Sequence, residues 1–384
     1  MAFGNWTFIA DYRQDQRDGN KLIGAVIGNS GGTPRAAILP YPVDDTTHQL
    51  DLAAQWATQQ GQFRLGYYYS RYDNNPTSLT WRNPFATIGG WDPGVGFSAG
   101  SGSLGLAPSN DYHQINATGA WNFTRATRLS STFSYGRMRQ DDGFLPYTVN
   151  PTLTAAPGFA PGLNLPRSSL NGEIKNTLFN LALMTRPMDR LSVKTSYQYQ
   201  NHDNNTPVAN YLYIGGDSQN QPAPGVGTGT DKYRRNVPIG SDENKVKLDV
   251  TYNIMLQTIL RGFYEYKRIN YEPAEQEFRS RTTNNLFGAE VRRVANEMFT
   301  GGLRYTYDER RGTDFSMNRP FGTPGAAAPT GSYLDQTYVN ANRFDNLPTL
   351  RPYQIADYDQ NRIRAFGNIN ATDTVAFQVA ADYY

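Results

Sequence analysis

The chain has 384 residues, no cysteine and a formal net charge of +2 at pH 7, with 26 tyrosines, 19 phenylalanines and 36 glycines. The absence of cysteine excludes a disulfide framework, a thiolate metal site and covalent attachment of c-type haem to this chain. No run of about 18 apolar residues is present, which excludes a transmembrane helix. A charge near zero argues against a dedicated nucleic-acid binder. Many aromatic residues and glycines with few charges leave a β-rich protein as the main class.

Apolar and polar residues alternate with a period of two along the chain, which is the pattern of β-strands. In one run, Val246, Leu248 and Val250 alternate with polar residues. Together with the turn signals, this alternation predicts about thirteen strands. They lie near residues 4–13, 48–57, 62–72, 112–123, 128–138, 174–185, 190–201, 245–255, 258–269, 283–294, 297–308, 361–370 and 374–384.

The connections between the predicted strands are of two kinds that alternate along the chain. Tight connections occur at residues 58–61, 124–127, 186–189, 255–257 and 371–373. Long connections rich in Gly, Pro, Asn and Asp occur at residues 73–111, 139–173, 202–244, 270–282 and 309–360. A bacterial outer-membrane barrel has short periplasmic turns and long extracellular loops. The sequence therefore predicts an all-β fold, an antiparallel transmembrane β-barrel in the bacterial outer membrane.

The two faces of the predicted strands differ in chemistry. A membrane barrel turns its apolar face outward and its polar face to the lumen, because backbone groups in lipid must be paired within a closed sheet. The candidates for contact with lipid are Leu50, Leu52, Leu191, Val193, Val246, Leu248, Val250, Leu303, Val375 and Phe377. The candidates for the lumen carry charges of both signs and are Asp51, Arg64, Lys194, Lys245, Lys247, Asp249, Arg304 and Asp308.

Tyrosines cluster near the predicted long-loop ends of several strands, where an aromatic girdle would meet the membrane interface. The clusters are Tyr67, Tyr68, Tyr69 and Tyr72; Tyr197 and Tyr199; Tyr264 and Tyr266; Tyr305 and Tyr307. The three histidines, His48, His113 and His202, also fall near these ends. Because they are neither close in sequence nor part of a carboxylate-rich cluster, we interpret them as rim residues and not as metal ligands.

We expect one barrel domain over residues 1–384 that is incomplete at both ends. Single-chain bacterial barrels normally have an even number of strands, whereas the number predicted here is odd. The chain also begins and ends within predicted strands and shows no signal peptide. Thirteen strands give a diameter of roughly 26 Å and twice as many roughly 52 Å, and only the larger would hold a folded protein. The sequence therefore favours a piece of a barrel of about 26 strands.

Two segments run from the ends of predicted strands into long loops. The first is Tyr67–Phe85, with the sequence YYYSRYDNNPTSLTWRNPF, and the second is Ser134–Thr148, with the sequence SYGRMRQDDGFLPYT. They resemble the MtrB/PioB family of decahaem-associated outer-membrane barrels. The strand spacing and the alternation of tight turns with long loops match that family over essentially the whole chain.

The resemblance implies a structural role. Members of the family enclose a periplasmic multihaem c-type cytochrome inside a wide barrel, often with a second, extracellular multihaem cytochrome docked outside. Electrons then cross the outer membrane for metal reduction or iron oxidation. By this resemblance the haem belongs to the partner, this chain carries no cofactor, and the protein is not an enzyme. Outer-membrane lipid is the other expected partner, and nucleic acid is not one.

Two other functions stay open on the residues alone. A general diffusion porin or substrate channel would use the same polar lumen, although a porin is usually complete at about 16–18 strands. An outer-membrane hydrolase would need a convergent polar site at the rim. The pair Asp141-Asp142 does not supply one, because adjacent carboxylates are not the opposed pair that acid–base chemistry needs. We nominate no catalytic, cofactor-binding or metal-binding residue.

Overall fold

The computed structural model describes most of the chain and consists of β-strands joined by turns and loops. The described residues are 2–30, 33–82, 101–147, 165–212, 233–255, 257–272, 279–294, 298–313, 355–370 and 374–384. Within these ranges, no helix has the length and apolar character needed to cross a membrane.

Eighteen strands are present in the described residues. In chain order they are β1 (Ala2–Phe3), β2 (Trp6–Ser30), β3 (Thr33–Ala57), β4 (Gly61–Asn74), β5 (Ser78–Arg82), β6 (Ser101–Gly105), β7 (Asn110–Thr124), β8 (Thr127–Gln140), β9 (Gly172–Met188), β10 (Leu191–Asn204), β11 (Asn210–Leu212), β12 (Tyr233–Arg235), β13 (Gly240–Met255), β14 (Thr258–Glu272), β15 (Arg281–Val294), β16 (Phe299–Gly312), β17 (Tyr358–Asn370) and β18 (Ala376–Tyr383).

Fourteen of these strands form one antiparallel sheet. Its order is β1-β2-β3-β4-β7-β8-β9-β10-β13-β14-β15-β16-β17-β18. This order follows the chain, and each strand pairs with the strands before and after it in the order. Strands β5 and β6, and strands β11 and β12, form two separate hairpins. In the described part of the chain β1 and β18 do not pair with each other, and the sheet is open. An antiparallel meander of this kind is the topology of an outer-membrane barrel wall.

The thirteen predicted strands are all present, and the fourteenth strand of the sheet is the two-residue β1. The prediction was too short for β2 and β3, which have 25 residues each. Their ladder continues from the pair Trp6–Trp56 to the pair Ser30–Thr33. Pro40 and Pro42 obscure the strand pattern there. They are tolerated because β4 pairs with β3 only from Asp45 onward and Asn75 bonds to Asp44, which leaves residues 33–43 with a partner on one side among the described strands.

The tight connections within the described residues lie together at one end of the sheet, as the sequence predicted, whereas residues 256 and 371–373 lie outside the described residues. At this end a backbone N–H of one strand donates to a carbonyl of the neighbouring turn. These hydrogen bonds are Ala57 to Asn5 (3.0 Å), Asn122 to Gln60 (2.8 Å), Arg186 to Ala126 (2.9 Å), Asn253 to Arg190 (2.9 Å), Val294 to Gln257 (2.9 Å) and Asn370 to Met298 (2.8 Å). The long connections leave from the opposite end, because neighbouring strands are antiparallel throughout.

The sheet has almost no hydrophobic interior in the described residues. The buried hydrophobic side chains there are Ala53 and Ile355, whereas large apolar side chains such as Leu248 (39% exposed), Leu303 (56%) and Phe377 (55%) lie on the surface. Contiguous apolar surface of this extent marks a site of contact with lipid or protein, since water penalises it. The fold therefore needs an apolar environment around one face of the sheet.

Candidate functional site: the two faces of the sheet

The cross-strand register divides the sheet into two faces of opposite chemistry. Residues directly opposed in antiparallel strands share a face, and neighbours along a strand alternate between faces. One continuous row of opposed residues crosses nine strands and is polar throughout. It consists of Gln55, Arg64, Thr118, Thr132, Asn180, Gln198, Lys245, Lys267 and Asn284. We call the side of the sheet that bears this row the polar face, and the other side the apolar face.

The register brings the predicted residues together as two separate sets. All eight candidates for the lumen share the parity of the polar row: Asp51, Arg64, Lys194, Lys245, Lys247, Asp249, Arg304 and Asp308. Nine candidates for lipid contact lie on the apolar face: Leu50, Leu52, Leu191, Val193, Val246, Leu248, Val250, Leu303 and Phe377. The tenth, Val375, immediately precedes β18. That the polar face lines a lumen and the apolar face meets lipid stays a prediction.

Ion pairs cover the polar face on strands β13 to β16. Lys247 Nζ lies 2.6 Å from Glu265 Oε2 on the neighbouring strand. Arg261 Nε donates to Asp249 Oδ2 at 2.7 Å, and Arg304 Nε donates to Glu290 Oε2 at 2.6 Å. Each of these cations meets a carboxylate across a strand boundary, so the charges neutralise one another within the sheet.

Two further lysines of this region share one carboxylate. Lys245 Nζ and Lys267 Nζ each lie 3.2 Å from an oxygen of Glu243. Asp308 is held differently, because it accepts a hydrogen bond from the Tyr358 hydroxyl at 2.9 Å. The charged part of the polar face is thus a lattice of separate ion pairs of both signs and not a field of one sign.

The polar face of strands β7 to β10 is nearly free of charge. Between the row of Lys194 and the row of His202, the charged residues on this face of the described strands are Lys194 itself and Arg128, both near the tight-turn end. Apart from Leu178 and Met184, the other positions carry hydroxyl, amide or small side chains. Gln114 Nε2 donates to Ser134 Oγ at 2.6 Å. This region offers hydrogen-bonding groups without fixed charge.

Six tyrosines on the apolar face point their hydroxyls toward the long-loop end. Each hydroxyl is bonded to a polar side chain two residues farther toward that end on the adjacent strand. The bonds are Tyr12 to His48 Nδ1 (2.8 Å), Tyr67 to His113 Nδ1 (2.7 Å), Tyr197 to Asn244 Oδ1 (2.7 Å), Tyr264 to Asn285 Oδ1 (3.0 Å), Tyr305 to Asn361 Oδ1 (2.8 Å) and Tyr307 to Asp359 Oδ1 (3.0 Å). A tyrosine with its ring on an apolar surface and its hydroxyl in a polar layer suits a membrane interface.

Part of the predicted tyrosine cluster is placed differently by the structure. Tyr67 and Tyr69 lie on the apolar face, whereas Tyr68 and Tyr72 lie on the polar face. The Tyr72 hydroxyl there donates to Asp45 Oδ2 at 3.4 Å. Adjacent tyrosines in a strand cannot all join one girdle, because successive side chains point to opposite faces.

The histidines lie at the long-loop end of the sheet, where the sequence placed them. Nδ1 of His48 is hydrogen-bonded to the Tyr12 hydroxyl, and Nδ1 of His113 to the Tyr67 hydroxyl. His202 Nδ1 is 2.7 Å from Asn176 Oδ1. They belong to three separate strands. Within the described ranges, no group of three or more His, Cys, Asp and Glu residues is arranged to hold a metal ion.

The clamp formed by Arg279 just before β15 was not predicted from the sequence. The side chain of Arg279 is 2% exposed. Its Nε donates to the carbonyl of Thr313 at 2.6 Å, and its Nη1 to the carbonyl of Ile355 at 2.8 Å and to Asp357 Oδ1 at 2.7 Å. A Cβ at Gly312 would lie 2.5 Å from Cζ of Arg279, so glycine leaves room for the guanidinium. The clamp joins the two chain segments that flank residues 314–354.

Together these features define a class of protein. A meander of antiparallel strands has an exposed apolar face, a tyrosine layer at one end, a polar opposite face, and tight turns opposite long loops. This is the construction of an outer-membrane β-barrel.

The family assignment agrees with this class. The model of one protein family, described as "Putative outer membrane beta-barrel porin, MtrB/PioB", matches residues 2–384. The chain belongs to the MtrB/PioB family and is a protein of the outer membrane. The family is one of porin-like barrels, which is not an enzyme class.

The chain is similar to a curated protein and to several solved structures. Outer membrane protein MtrB of Shewanella baltica (strain OS185) is 21% identical over 380 residues, which cover 98% of this chain and 46% of that protein. The chain thus spans about half the length of this relative. The ferric enterobactin receptor PfeA of Pseudomonas aeruginosa matches with a TM-score of 0.48 at 8% identity over 88% of this chain and 41% of that one. The ferric-catecholate receptor Fiu of K12 E. coli gives 0.42 at 12% identity over 98% and 57%.

Proposed function

We propose that this chain forms part of a barrel that encloses and positions a multihaem c-type cytochrome for electron transfer across the outer membrane. The haem belongs to the cytochrome, and this chain supplies the wall around it. The family membership supports this role, and so does the relative's printed name, MtrB. An extracellular multihaem cytochrome at the long-loop end is a second partner.

The observation that carries the proposal is the chemistry of the polar face. A wall around a folded protein needs groups that tolerate both water and a polar protein surface. Around Glu243, Asp249 and Glu290 each carboxylate contacts one or two cations, so charges of both signs alternate, and the neighbouring strands carry amides and hydroxyls. Such a face imposes no strong selectivity for ions of one sign, which a charged pore constriction would do. It matches a protein surface of mixed charge.

The size of the barrel follows from the same proposal. The chain corresponds to 46% of the length of the Shewanella relative, and its sheet has fourteen strands. A barrel of about 26 strands has a diameter of roughly 52 Å, which accommodates a folded cytochrome. In this barrel the apolar face, with Val246, Leu248 and Val250, contacts lipid.

A diffusion porin is the second candidate, because the family is described as a porin. It would use the same polar face as the wall of a water-filled channel. The two functions differ in what fills the lumen. A hydrolase is third, since the described polar groups form ion pairs along strands and not a convergent site at the rim.

The test is purification of the full-length protein from native outer membranes, followed by haem spectroscopy. We expect c-type haem absorbance in the complex, and electron transfer across liposomes to an enclosed acceptor. Two adjacent residues of β9 provide matched variants. Asn180→Trp adds bulk to the polar face and should lower the haem-to-barrel ratio about tenfold, which corresponds to about 1.4 kcal/mol. Leu181→Trp places the same indole side chain on the apolar face and should leave the ratio unchanged. If the purified protein carries no haem and passes small solutes, the sheath function is wrong and the porin function replaces it.

A further inference from the structure

The tight-turn end of the polar face departs from the alternation of charge signs found farther along the strands. Three adjacent rows of opposed residues together cross β8 to β18 there. The first row is Arg128, Met184, Lys194, Asp249, Phe263, Gly288, Thr306 and Arg362. The second row is Ser192, Thr251, Arg261, Glu290, Arg304, Arg364 and Asp382. The third row is Asn253, Ile259, Arg292, Gly302, Phe366 and Ala380.

Basic residues outnumber acidic ones in these three rows. The rows hold seven basic residues and three acidic ones, which leaves an excess of four positive charges. The next row toward the long loops contains Lys247, Glu265 and Asp308, and it lowers the excess to three. In the sequence, the connections 124–127, 186–190, 295–297 and 371–373 add three residues of each sign and so do not change it. These residues are Arg125, Arg186, Asp189, Arg190, Glu297 and Asp373.

Each of the three acids in these rows already accepts a hydrogen bond from an arginine on a neighbouring strand. The bonds run from Nε of Arg261 to Asp249 (2.7 Å), from Nε of Arg304 to Glu290 (2.6 Å) and from Nε of Arg362 to Asp382 (2.9 Å). Four cations of the rows form no ion pair with a described carboxylate, although Lys194 is opposed to Asp249 and Arg364 to Asp382. We call these four the basic belt: Arg128, Lys194, Arg292 and Arg364.

The basic belt is available to a partner. Arg128, Lys194 and Arg292 are exposed, and Arg364 is partly exposed. Arg364 is also directly opposed to Arg304 on β16, and like charges directly opposed in a sheet are destabilising. An excess of one sign at one end of a face attracts molecules of the opposite charge. The belt therefore fits a partner that brings carboxylates to this end of the polar face.

The position of the belt indicates which partner this is. In outer-membrane barrels the tight turns lie on the periplasmic side, so the belt lies at the opening through which a periplasmic cytochrome enters the proposed barrel. We propose that the basic belt binds aspartate and glutamate side chains on the surface of that cytochrome. Guanidinium and ammonium groups form strong charge-assisted hydrogen bonds with carboxylates. The inference rests on the proposed function and adds to it the end of the barrel that holds the partner.

The first experiment is carbodiimide cross-linking of the complex of full-length protein and cytochrome, purified from native outer membranes. A carbodiimide joins an amine to a carboxylate that it contacts, and mass spectrometry of the peptides identifies both residues. Lys194 should be linked to an aspartate or glutamate of the cytochrome. Arg292→Lys supplies a second amine in the belt and should create a new link to the cytochrome.

The neighbouring residue provides the matched control. Successive side chains of a strand point to opposite faces, so Arg293→Lys places the same amine on the apolar face, where Arg293 is opposed to Gly301. This variant should create no link to the cytochrome. Links from Arg293→Lys as frequent as those from Arg292→Lys would overturn the proposal. So would the absence of links from both Lys194 and Arg292→Lys.

The second experiment measures how fast the cytochrome dissociates at different salt concentrations. The triple variant Lys194→Gln, Arg292→Gln, Arg364→Gln should lose it about tenfold faster at low salt, since each exposed ion pair contributes up to about fivefold. The difference should vanish at about 1 M salt, where charges are screened, whereas a misfolded variant would lose the cytochrome at every salt concentration. Arg268→Gln, Arg281→Gln, Arg293→Gln removes three charges from the apolar face and should behave as the wild type.

The outcomes separate this inference from the proposed function. A wild-type protein that copurifies without a cytochrome would overturn both. A wild-type complex whose cytochrome dissociates from the belt variant at the wild-type rate would overturn the belt alone and leave the sheath function in place. The same rate together with a lost preference for anions in the conductance of the cytochrome-free barrel would assign the belt to small anions instead.

Discussion

The polar face has two regions built from different chemistry on the same kind of strand. On β13 to β16, cross-strand ion pairs such as Lys247–Glu265 and Arg304–Glu290 cover the surface. On β7 to β10, the same face carries Thr132, Asn180 and other uncharged side chains. The backbone ladder is continuous between them. The difference shows that the strand pattern calls for polar side chains in these rows without specifying whether they carry a charge or an amide.

The largest expected effect tests whether the polar face is the one turned away from lipid. Val250→Arg places a charge on the apolar face of β13 near its middle, and it should destabilise the folded barrel by about 2–4 kcal/mol at the membrane midplane. Thr251→Arg, the next residue, adds the same charge to the polar face and should cost less than about 1 kcal/mol. Urea titration of the folded fraction in lipid vesicles measures both. Equal costs would remove the distinction between the faces, and a larger cost for Thr251→Arg would reverse it.

The second effect compares the two regions directly. Glu290 is 9% exposed and accepts the hydrogen bond from Arg304. Glu290→Ala leaves that guanidinium without its carboxylate, and we expect a loss of about 1–3 kcal/mol. In the uncharged region, Thr132→Ala should change stability by less than about 0.5 kcal/mol. The same urea titration applies. A cost for Thr132→Ala as large as that for Glu290→Ala would show that the ion lattice adds no special stability.

The smallest effect concerns the ion group outside the polar face, at the rim of β8 and β9. The pKa of Glu173 is lowered from 4.5 to about 2, first by the hydrogen bond from Arg137 and then by those from Lys175 and Arg139. Because the folded-state pKa is the lower one, its contribution to stability is complete above pH 4.5 and is lost as the pH falls toward 2. Glu173→Gln should therefore flatten the acid dependence of the folded fraction in this window. An unchanged profile would show that the cluster is not formed in the membrane.

Much of this arrangement was predictable from the sequence. The thirteen strands and the split of Leu248 and Lys247 to opposite faces follow from a period of two, which is a local property of extended backbone. The alternation of tight and long connections set the two ends of the sheet. The 25-residue length of β2 and β3 was not predictable, because Pro40, Pro42 and Gly19 remove the pattern while pairing to the neighbouring strand preserves the ladder.

The sequence by itself determined which side chains share a face, since each residue's parity depends only on its neighbours in the strand. The tertiary structure decided which of them meet. Arg261 reaches Asp249 across a hairpin, the Tyr67 hydroxyl reaches His113 two rungs away, and Arg279 joins Thr313 to Ile355. These contacts depend on the register between strands, and register is set by all the cross-strand pairs together. For the same reason, Arg137, Arg139 and Lys175 gather around Glu173 only after β8 and β9 have aligned.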